Sequence, residues 1–436
     1  MRDFAALWIL AFVASIAIGS HGILYWDAGD YVTQALTGQL SGLLLGRPLF
    51  LWISRAVLAA GVDPVHAEPV LRWFWCAFGS LAAPGLMMLA RALGLARGAA
   101  FTAGAALALS PSFAHTSHQV LTDSPALALS IAALAVVAAG LATYPRAFAA
   151  GALIAAAVAM RETAALQLVA VVLLLGRRGW VSVVAFAVVL GGIVAIAPPP
   201  ALIAWFGDMS KSAVAHPWRW RDLAISAGWL MTAGPIPVIA GAEMLRRRLV
   251  NDRVMLVALP SVVATILLCF YQDGSFSPRY MLATAPAAFF LAAAPWLASR
   301  PRLTALALII PFVVAMLFVR PVNAVAERGA TLTARIAHLP PRALVVPGHF
   351  CPQARLAATI HRRDDIEFVC PGWGWPADVG AVLDQAIASG QPVAVDPSPD
   401  VWMGGRETIP SQEIQDWLKQ RPGRTLADFV VIERQK

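Results

Sequence analysis

The sequence predicts an all-α polytopic membrane protein of about 11 transmembrane segments, with a small α/β soluble domain at its C-terminal end. Three observations predict it. Of the 436 residues, 59% are apolar and only 13% charged, against roughly 45 to 50% and about 25% in an average soluble domain. With a mean hydropathy of +0.68, the apolar residues gather into repeated uncharged runs of about 17 to 25 residues. That is the length a helix needs to cross hydrocarbon with its backbone bonded internally. The basic excess, 33 Lys and Arg against 25 Asp and Glu, falls between the apolar runs, as the positive-inside rule requires. Nucleic acid is therefore not an expected partner. Four cysteines, with no heptad repeat or low-complexity tract, exclude a disulfide scaffold, a coiled coil and a disordered chain.

The first run, about 4 to 24, leads straight into Tyr25-Trp26-Asp27 without a small-residue cleavage site. It reads as a retained helix, not a signal peptide. Further runs lie at about 70 to 90, 99 to 118, 124 to 143, 147 to 175, 181 to 203, 223 to 244, 254 to 271, 280 to 297 and 303 to 319. The run 147 to 175 is too long for one span and is interrupted by Arg161-Glu162-Thr163, so it reads as two short helices meeting at a polar apex. With that pair, Arg91, Arg97, Arg146, Arg177, Arg178, Arg246 to Arg248, Arg253, Arg300 and Arg302 all fall on one side, expected to be cytoplasmic. The opposite side receives the segment 25 to 69, the turn 114 to 123, the Arg161 apex, the loops 205 to 222 and 272 to 280, and everything after about Arg320. A single crossing at 147 to 175 would flip the later parity; the paired reading keeps every multi-Arg loop together.

The transmembrane domain is thus expected over 1–320 and a small extracytoplasmic α/β domain over 339–436. In the latter, Ala343 to Val346, Ile366 to Val369, Pro392 to Asp396 and Phe429 to Ile432 read as strands, with helices at 351 to 361, 378 to 390 and 411 to 420, and so a partly parallel sheet. No Gly-rich phosphate loop is present, so a structural or acceptor-docking role is expected there. Cys351 and Cys370 could pair in an oxidising compartment or remain two free thiols.

Chemistry is expected where polar groups stand against the membrane. In Tyr25-Trp26-Asp27-Ala28-Gly29-Asp30-Tyr31, a helix over 28 to 38 would put Asp27 and Asp30 on one face. They read either as helix caps at the interface or as reactive carboxylates. Arg47, in Gly46-Arg47-Pro48, is either a phosphate ligand or a snorkelling cation. His115, His118 and Asp123 have metal-ligand chemistry, but Asp123 before Ser124-Pro125 is equally a helix cap, and no metal is expected. Arg161-Glu162 at membrane depth reads as functional or as a self-neutralising pair. Gln272 to Tyr280 is a polar loop ending in Arg279-Tyr280, and the loop Phe206 to Asp222, with Trp218 and Trp220, offers either a stacking surface or an interfacial belt.

In this order the motifs resemble the GT-C fold glycosyltransferases, above all the aminoarabinose transferase of lipid A modification and the protein O-mannosyltransferases. The likeness runs from residue 1 to about 320. It implies a polyprenyl-phosphate-linked sugar donor, a glycan, lipid or protein acceptor, and no cofactor. By motif, the family's catalytic carboxylate falls on Asp27, its second acid on Asp30, its lipid-phosphate cations on Arg47 and Arg161, a turn acid on Asp123 and a late-helix aromatic on Tyr280, beside Arg279. Ala28 stands where many relatives carry Glu, a departure that removes support for a metal in this loop.

A phosphate leaving group needs charge stabilisation and no proton, so one base suffices. Asp27 would take the acceptor's proton while Arg47, Arg161 and Arg279 meet the phosphate, and single displacement gives inversion. The rival is a lipid or glycolipid transporter or flippase with the same charges lining its pathway. Against it, the polar residues collect at one membrane face and no inverted repeat is visible. The Ala-rich, Arg-over-Lys composition fits GC-rich bacterial coding, hence an inner membrane with the site and C-terminal domain facing the periplasm.

Overall fold

The computed structural model describes residues 1–19, 26–38, 47–140, 143–196, 220–271, 285–370, 378–397 and 411–434. The chain forms two compact units: Met1–Gly19, Leu40–Val57 and Pro69–Val319 in the first, and Ser20–Gln39, Leu58–Glu68 and Arg320–Lys436 in the second.

The first unit is helical. It begins with α1 (Arg2–Ile18) and, beyond the helix α2 (Trp26–Thr37) of the second unit, continues with α3 (Pro48–Leu58), α4 (Ala67–Gly79), α5 (Ala82–Ala92), α6 (Arg97–Ala108), α7 (Pro111–Ser117), α8 (Asp123–Ala138), α9 (Tyr144–Val158), α10 (Gln167–Leu175) and α11 (Gly179–Ile196). After residues outside the description come α12 (Trp220–Met231), α13 (Pro235–Arg246), α14 (Asp252–Tyr271), α15 (Ala285–Ala298) and α16 (Pro301–Ala334), of which the part up to Val319 belongs to this unit and the part from Arg320 to the second. Packing is through Ala and Leu, with backbones in close approach: a Cβ on Gly151 of α9 would stand 2.9 Å from Ala185 Cβ of α11. Such small-residue contacts replace the hydrophobic drive that lipid cannot supply between helices.

One end of this unit is basic. Arg97 forks onto Asp3 at 2.8 Å, Arg253 donates to the carbonyls of Ala92 and Ala138 at 3.0 and 2.8 Å, and the Arg178 guanidinium lies 5.4 Å from the Tyr144 ring. The last contact brings the chain just after α10 to the start of α9, so the chain turns back between them, as the paired-helix reading expected. The turn is built by Arg161, which leaves the helix in extended conformation (φ −153°, ψ 117°) before a short 3-10 segment, Glu162–Leu166.

Among the described residues, Pro64–Ala92, Glu162–Ile196 and Pro301–Val319 are long and apolar enough to cross a membrane. The expected count of about 11 spans is not confirmed. Several expected spans are each two shorter helices: 70 to 90 is α4 and α5, 99 to 118 is α6 and α7 broken before Pro111, and 223 to 244 is α12 and α13 broken before Pro235. Proline removes a backbone donor and disfavours helix in the residue before it.

The second unit holds a five-stranded sheet of order β2-β1-β3-β5-β4. Its strands are β1 (Leu344–Val346), β2 (Glu367–Phe368), β3 (Val393–Val395), β4 (Arg424–Leu426) and β5 (Phe429–Ile432), and its helices α17 (Cys351–Ile360), α18 (Val379–Ala388) and α19 (Ser411–Lys419). β1 pairs parallel with β2 and β3, and β5 pairs antiparallel with β3 and β4. The crossover from β1 to β2 and the return from β2 past β1 to β3 run in opposite directions across the sheet and so cover opposite faces, as crossovers of one hand must. Thus Val345 and Ala394 pack toward Phe350, Ala354 and Ala357 on one face, while Leu344, Val346, Val393 and Val395 pack toward Val379, Leu383, Ile414 and Trp417 on the other. The four expected strands and three expected helices are present; β4 is additional. Cys351 and Cys370 form a disulfide across a Cα separation of 5.7 Å.

Candidate functional site

The first unit carries its buried charge opposite the basic end. Arg47 stands immediately before Pro48, which opens α3, and the Leu49 amide donates to the Ala159 carbonyl at 3.3 Å, tying the start of α3 to the α9 terminus. The Arg47 guanidinium, almost fully buried, donates from Nε to Glu162 Oε2 at 3.2 Å and from Nη2 to Oε1 at 3.1 Å. This planar two-point grip fixes the fork's orientation as well as its charge.

Next along the chain, Arg161 is 1% exposed, and its Nη1 donates to Asp123 Oδ2 at 3.2 Å and Thr122 Oγ1 at 3.4 Å. Asp123 opens α8 with Thr122 as its N-cap residue, and no side-chain cap bond forms there. The capping reading of Asp123 is thus replaced by an ion pair, although its place in the first turn still suits the helix dipole. Its second oxygen, Oδ1, has no hydrogen-bond partner among the described residues. The paired charges lie at the ends of α3, α8 and α9, where the chain is already leaving helix. His118 meets the Trp73 ring edge-on at 5.9 Å and lies against Gly19 at the end of α1. Among the described residues, no group of three His, Cys, Asp or Glu is placed to hold a metal.

The acidic pair belongs to the second unit. α2 covers the segment expected to be helical, with Asp27 in its first turn and Asp30 one turn on. Both are partly buried, and α2 packs against α17. Burial pushes the Asp30 carboxyl up to about 6, Arg355 of α17 opposes that rise, and Asp27 adds to it. Between the two acids, Gly29 presses on α17 so closely that a Cβ there would stand 2.7 Å from Pro352 Cβ. The glycine is required by this approach, which ties the acidic helix to the disulfide-bonded start of α17.

Of the residues singled out from sequence, Arg47, Arg161 and Asp123 lie in one unit as buried partners, and Asp27 and Asp30 lie together in the other. Arg279 and Tyr280, and the loop from 206 to 219, lie outside the described residues. Sequence reasoning missed Arg355 and the role of Glu162 as the fork for Arg47. Glu162 carried a signal, since a carboxylate at membrane depth requires a partner; Arg355 carried none.

No protein-family model and no curated protein matches this sequence. Solved structures do. ArnT from Cupriavidus metallidurans, solved bound to undecaprenyl phosphate, aligns over 99% of this chain and 97% of its own, at TM-score 0.66 and 15% identity. The oligosaccharyltransferase AglB of Archaeoglobus fulgidus, solved with an inhibitory peptide and a dolichol-phosphate, aligns over 90% of this chain and 69% of its own, at TM-score 0.56 and 11% identity. The mycobacterial arabinofuranosyltransferase AftD matches 97% of this chain with 37% of its own length, at TM-score 0.54 and 16% identity. A polytopic helical unit, a small sheet domain and likeness along almost the whole of ArnT give one conclusion: this chain has the fold of the GT-C glycosyltransferases.

Proposed function

We propose that this protein is a membrane glycosyltransferase that moves a sugar from a polyprenyl-phosphate-linked donor to an extracytoplasmic acceptor, with inversion at the anomeric carbon and Asp27 as base. The observation that carries this reading is the match along nearly the full length of ArnT, a protein solved with undecaprenyl phosphate bound. Transfer requires the acceptor hydroxyl to lose a proton as its oxygen attacks the anomeric carbon, while the C1–O bond to phosphate breaks and the phosphate leaves with the electron pair. Asp27 receives the proton, and Asp30, negative beside it, strengthens its basicity. Arg47 and Arg161 meet the phosphate, each held in direction by its own carboxylate, with Arg279 and Tyr280 completing the donor site. Asp123, paired with Arg161, belongs to the same donor site. The Cys351–Cys370 disulfide supports placing the second unit on the oxidising side of an inner membrane.

The test is transfer of labelled sugar from a panel of polyprenyl phosphate donors in membranes, comparing wild type with Asp27→Asn at matched expression. Loss of a general base costs about 10² to 10⁴ in rate, and that loss is expected of the variant. An equally active variant rejects Asp27 as base. A wild type silent with every donor rejects the glycosyltransferase reading.

A further inference from the structure

Several arginines at the basic end of the first unit are already occupied. Arg97 meets Asp3, Arg246 and Arg247 both meet Glu243, Arg253 donates to two helix-end carbonyls, and Arg300 lies over the Trp296 ring and donates to its carbonyl. One corner differs. The 3-10 turn Gly176–Arg178 joins α10 to α11 and carries Arg177 and Arg178, both exposed. Arg178 lies over the ring of Tyr144, the first residue of α9, and Arg146 of the same turn covers Gly140, filling the space a Cβ there would take. Between Asp123 and Asp208 the sequence holds a single acid, Glu162, and that one grips Arg47 at the opposite end of the unit. Among the described residues, neither Arg177 nor Arg178 meets a carboxylate. The corner also heads an apolar surface. Tyr144 and Trp180 are 58% and 60% exposed, and one turn farther along the same two helices Phe148 and Val184 are 51% and 50% exposed. Guanidiniums with no acid beside them, an aromatic ring at the head of each helix and apolar faces beyond fit a molecule that is anionic at one end and oily at the other.

We propose that Arg146, Arg177 and Arg178, with Tyr144 and Trp180, form a binding site for the phosphate headgroup of an anionic bilayer phospholipid, whose acyl chains lie along the exposed faces of α9 and α11. A guanidinium fork takes two phosphate oxygens at once, and here it has no carboxylate to give up first. Arg246 and Arg247 would have to surrender Glu243 to do the same. A zwitterionic lipid brings its own ammonium and leaves the corner's charge unanswered, so the site selects lipids with net negative charge. The inference goes beyond the glycosyltransferase reading and does not rest on it, since this corner and the Arg47 and Arg161 cluster occupy opposite ends of the unit. It does have a structural consequence. Tyr144 and Arg146 begin α9, Arg177 and Arg178 follow α10, and those two helices meet at Arg161. A headgroup bridging the corner therefore ties together the two legs of the hairpin whose apex is Arg161.

The test is lipid titration of the full chain in detergent, read by native mass spectrometry, with phosphatidylglycerol, phosphatidylethanolamine of the same acyl chains, and glycerol phosphate as the headgroup without chains. Wild type is expected to bind phosphatidylglycerol roughly tenfold or more tightly than phosphatidylethanolamine, and glycerol phosphate far more weakly than either lipid. The double variant Arg177→Gln with Arg178→Gln should weaken phosphatidylglycerol binding roughly thirtyfold. The control, Arg246→Gln with Arg247→Gln, removes the same charge from arginines that already have an acid and should leave that binding close to wild type. Both pairs are exposed, so both variants should fold, and thermal unfolding checks this while giving a second readout. Added phosphatidylglycerol should raise the unfolding temperature of wild type and of the control but not of the Arg177→Gln, Arg178→Gln variant. Equal losses in the two double variants mean a diffuse charge effect and overturn the site. Equal binding of phosphatidylethanolamine overturns its selectivity, and glycerol phosphate binding as well as the lipid makes it a plain anion site.

Discussion

In the first unit every buried guanidinium of the Arg47 and Arg161 cluster meets a carboxylate, Glu162 in one case and Asp123 in the other. In the second unit two carboxylates stand one turn apart on one helix, and burial pushes Asp30 up while the exposed Arg355 opposes that rise. In the proposed reaction the difference corresponds to two jobs. Cations that are to receive a phosphate must be aimed beforehand, and a carboxylate partner aims them while making them tolerable in a low-dielectric interior. A base is stronger where negative charge is left uncompensated. Paired guanidinium–carboxylate contacts in one unit and two neighbouring acids in the other suit the two jobs of the proposed reaction.

The largest effect is expected from breaking the balanced side. Arg161→Met leaves Asp123 buried with its cation gone, and removing one member of a buried pair costs about 3 to 5 kcal/mol. Thermal unfolding in detergent should show this, and the double variant Arg161→Met with Asp123→Leu should recover most of the lost stability while remaining inactive. A double variant no more stable than the single would mean that the pair is not the unit holding this region together.

A smaller effect is expected on the other side. Cys351→Ser removes a cross-link spanning 19 residues, which stabilises a folded unit by about 3 kcal/mol. Faster proteolysis within 320–436, with the first unit's resistance unchanged, is the expected pattern. Loss of resistance throughout the chain would show that the two units do not unfold separately.

What the sequence made legible followed from local signals. The strands of the second unit were readable because β1 and β3 are short, uninterrupted apolar runs, as strands buried on both faces must be. β4 was missed because Arg424-Thr425-Leu426 is a polar edge strand and its hairpin to β5 turns at Ala427-Asp428, with φ of 51° and 68°. Such turns are recognised by Asn-Gly or Asp-Gly, and an alanine in that conformation hides the signal. The apex at Arg161 was legible because charge interrupts an apolar run; its partners were not, since Arg47 and Glu162 lie 115 residues apart and Arg161 and Asp123 38 apart. The expected spans merged what are pairs of short helices, since hydropathy averages over Ser80-Leu81 and the residues before Pro111 and Pro235 without registering a break. Arg355 was invisible because a lone exposed arginine in a soluble helix has no sequence pattern that ties it to a distant carboxylate.

The smallest expected effect sharpens the comparison most, because it moves the acidic helix without touching its charges. Gly29→Ala adds a Cβ that would stand 2.7 Å from Pro352 Cβ and 3.0 Å from its carbonyl carbon, nearer than real side chains come, and overpacking of this kind costs about 1 to 3 kcal/mol. If α2 is held in register by α17, transfer should fall several-fold, because Asp27 and Asp30 shift with the helix. Adding Pro352→Gly removes one of the colliding carbons and should recover part of the rate, whereas the proline's backbone still crowds the site and prevents full rescue. The first unit offers the control: its ion pairs are set by side chains and not by a glycine contact with α17, so donor binding measured by KM should stay constant while kcat changes. A rise in KM equal to the fall in kcat would instead mean that the acidic helix takes part in holding the donor.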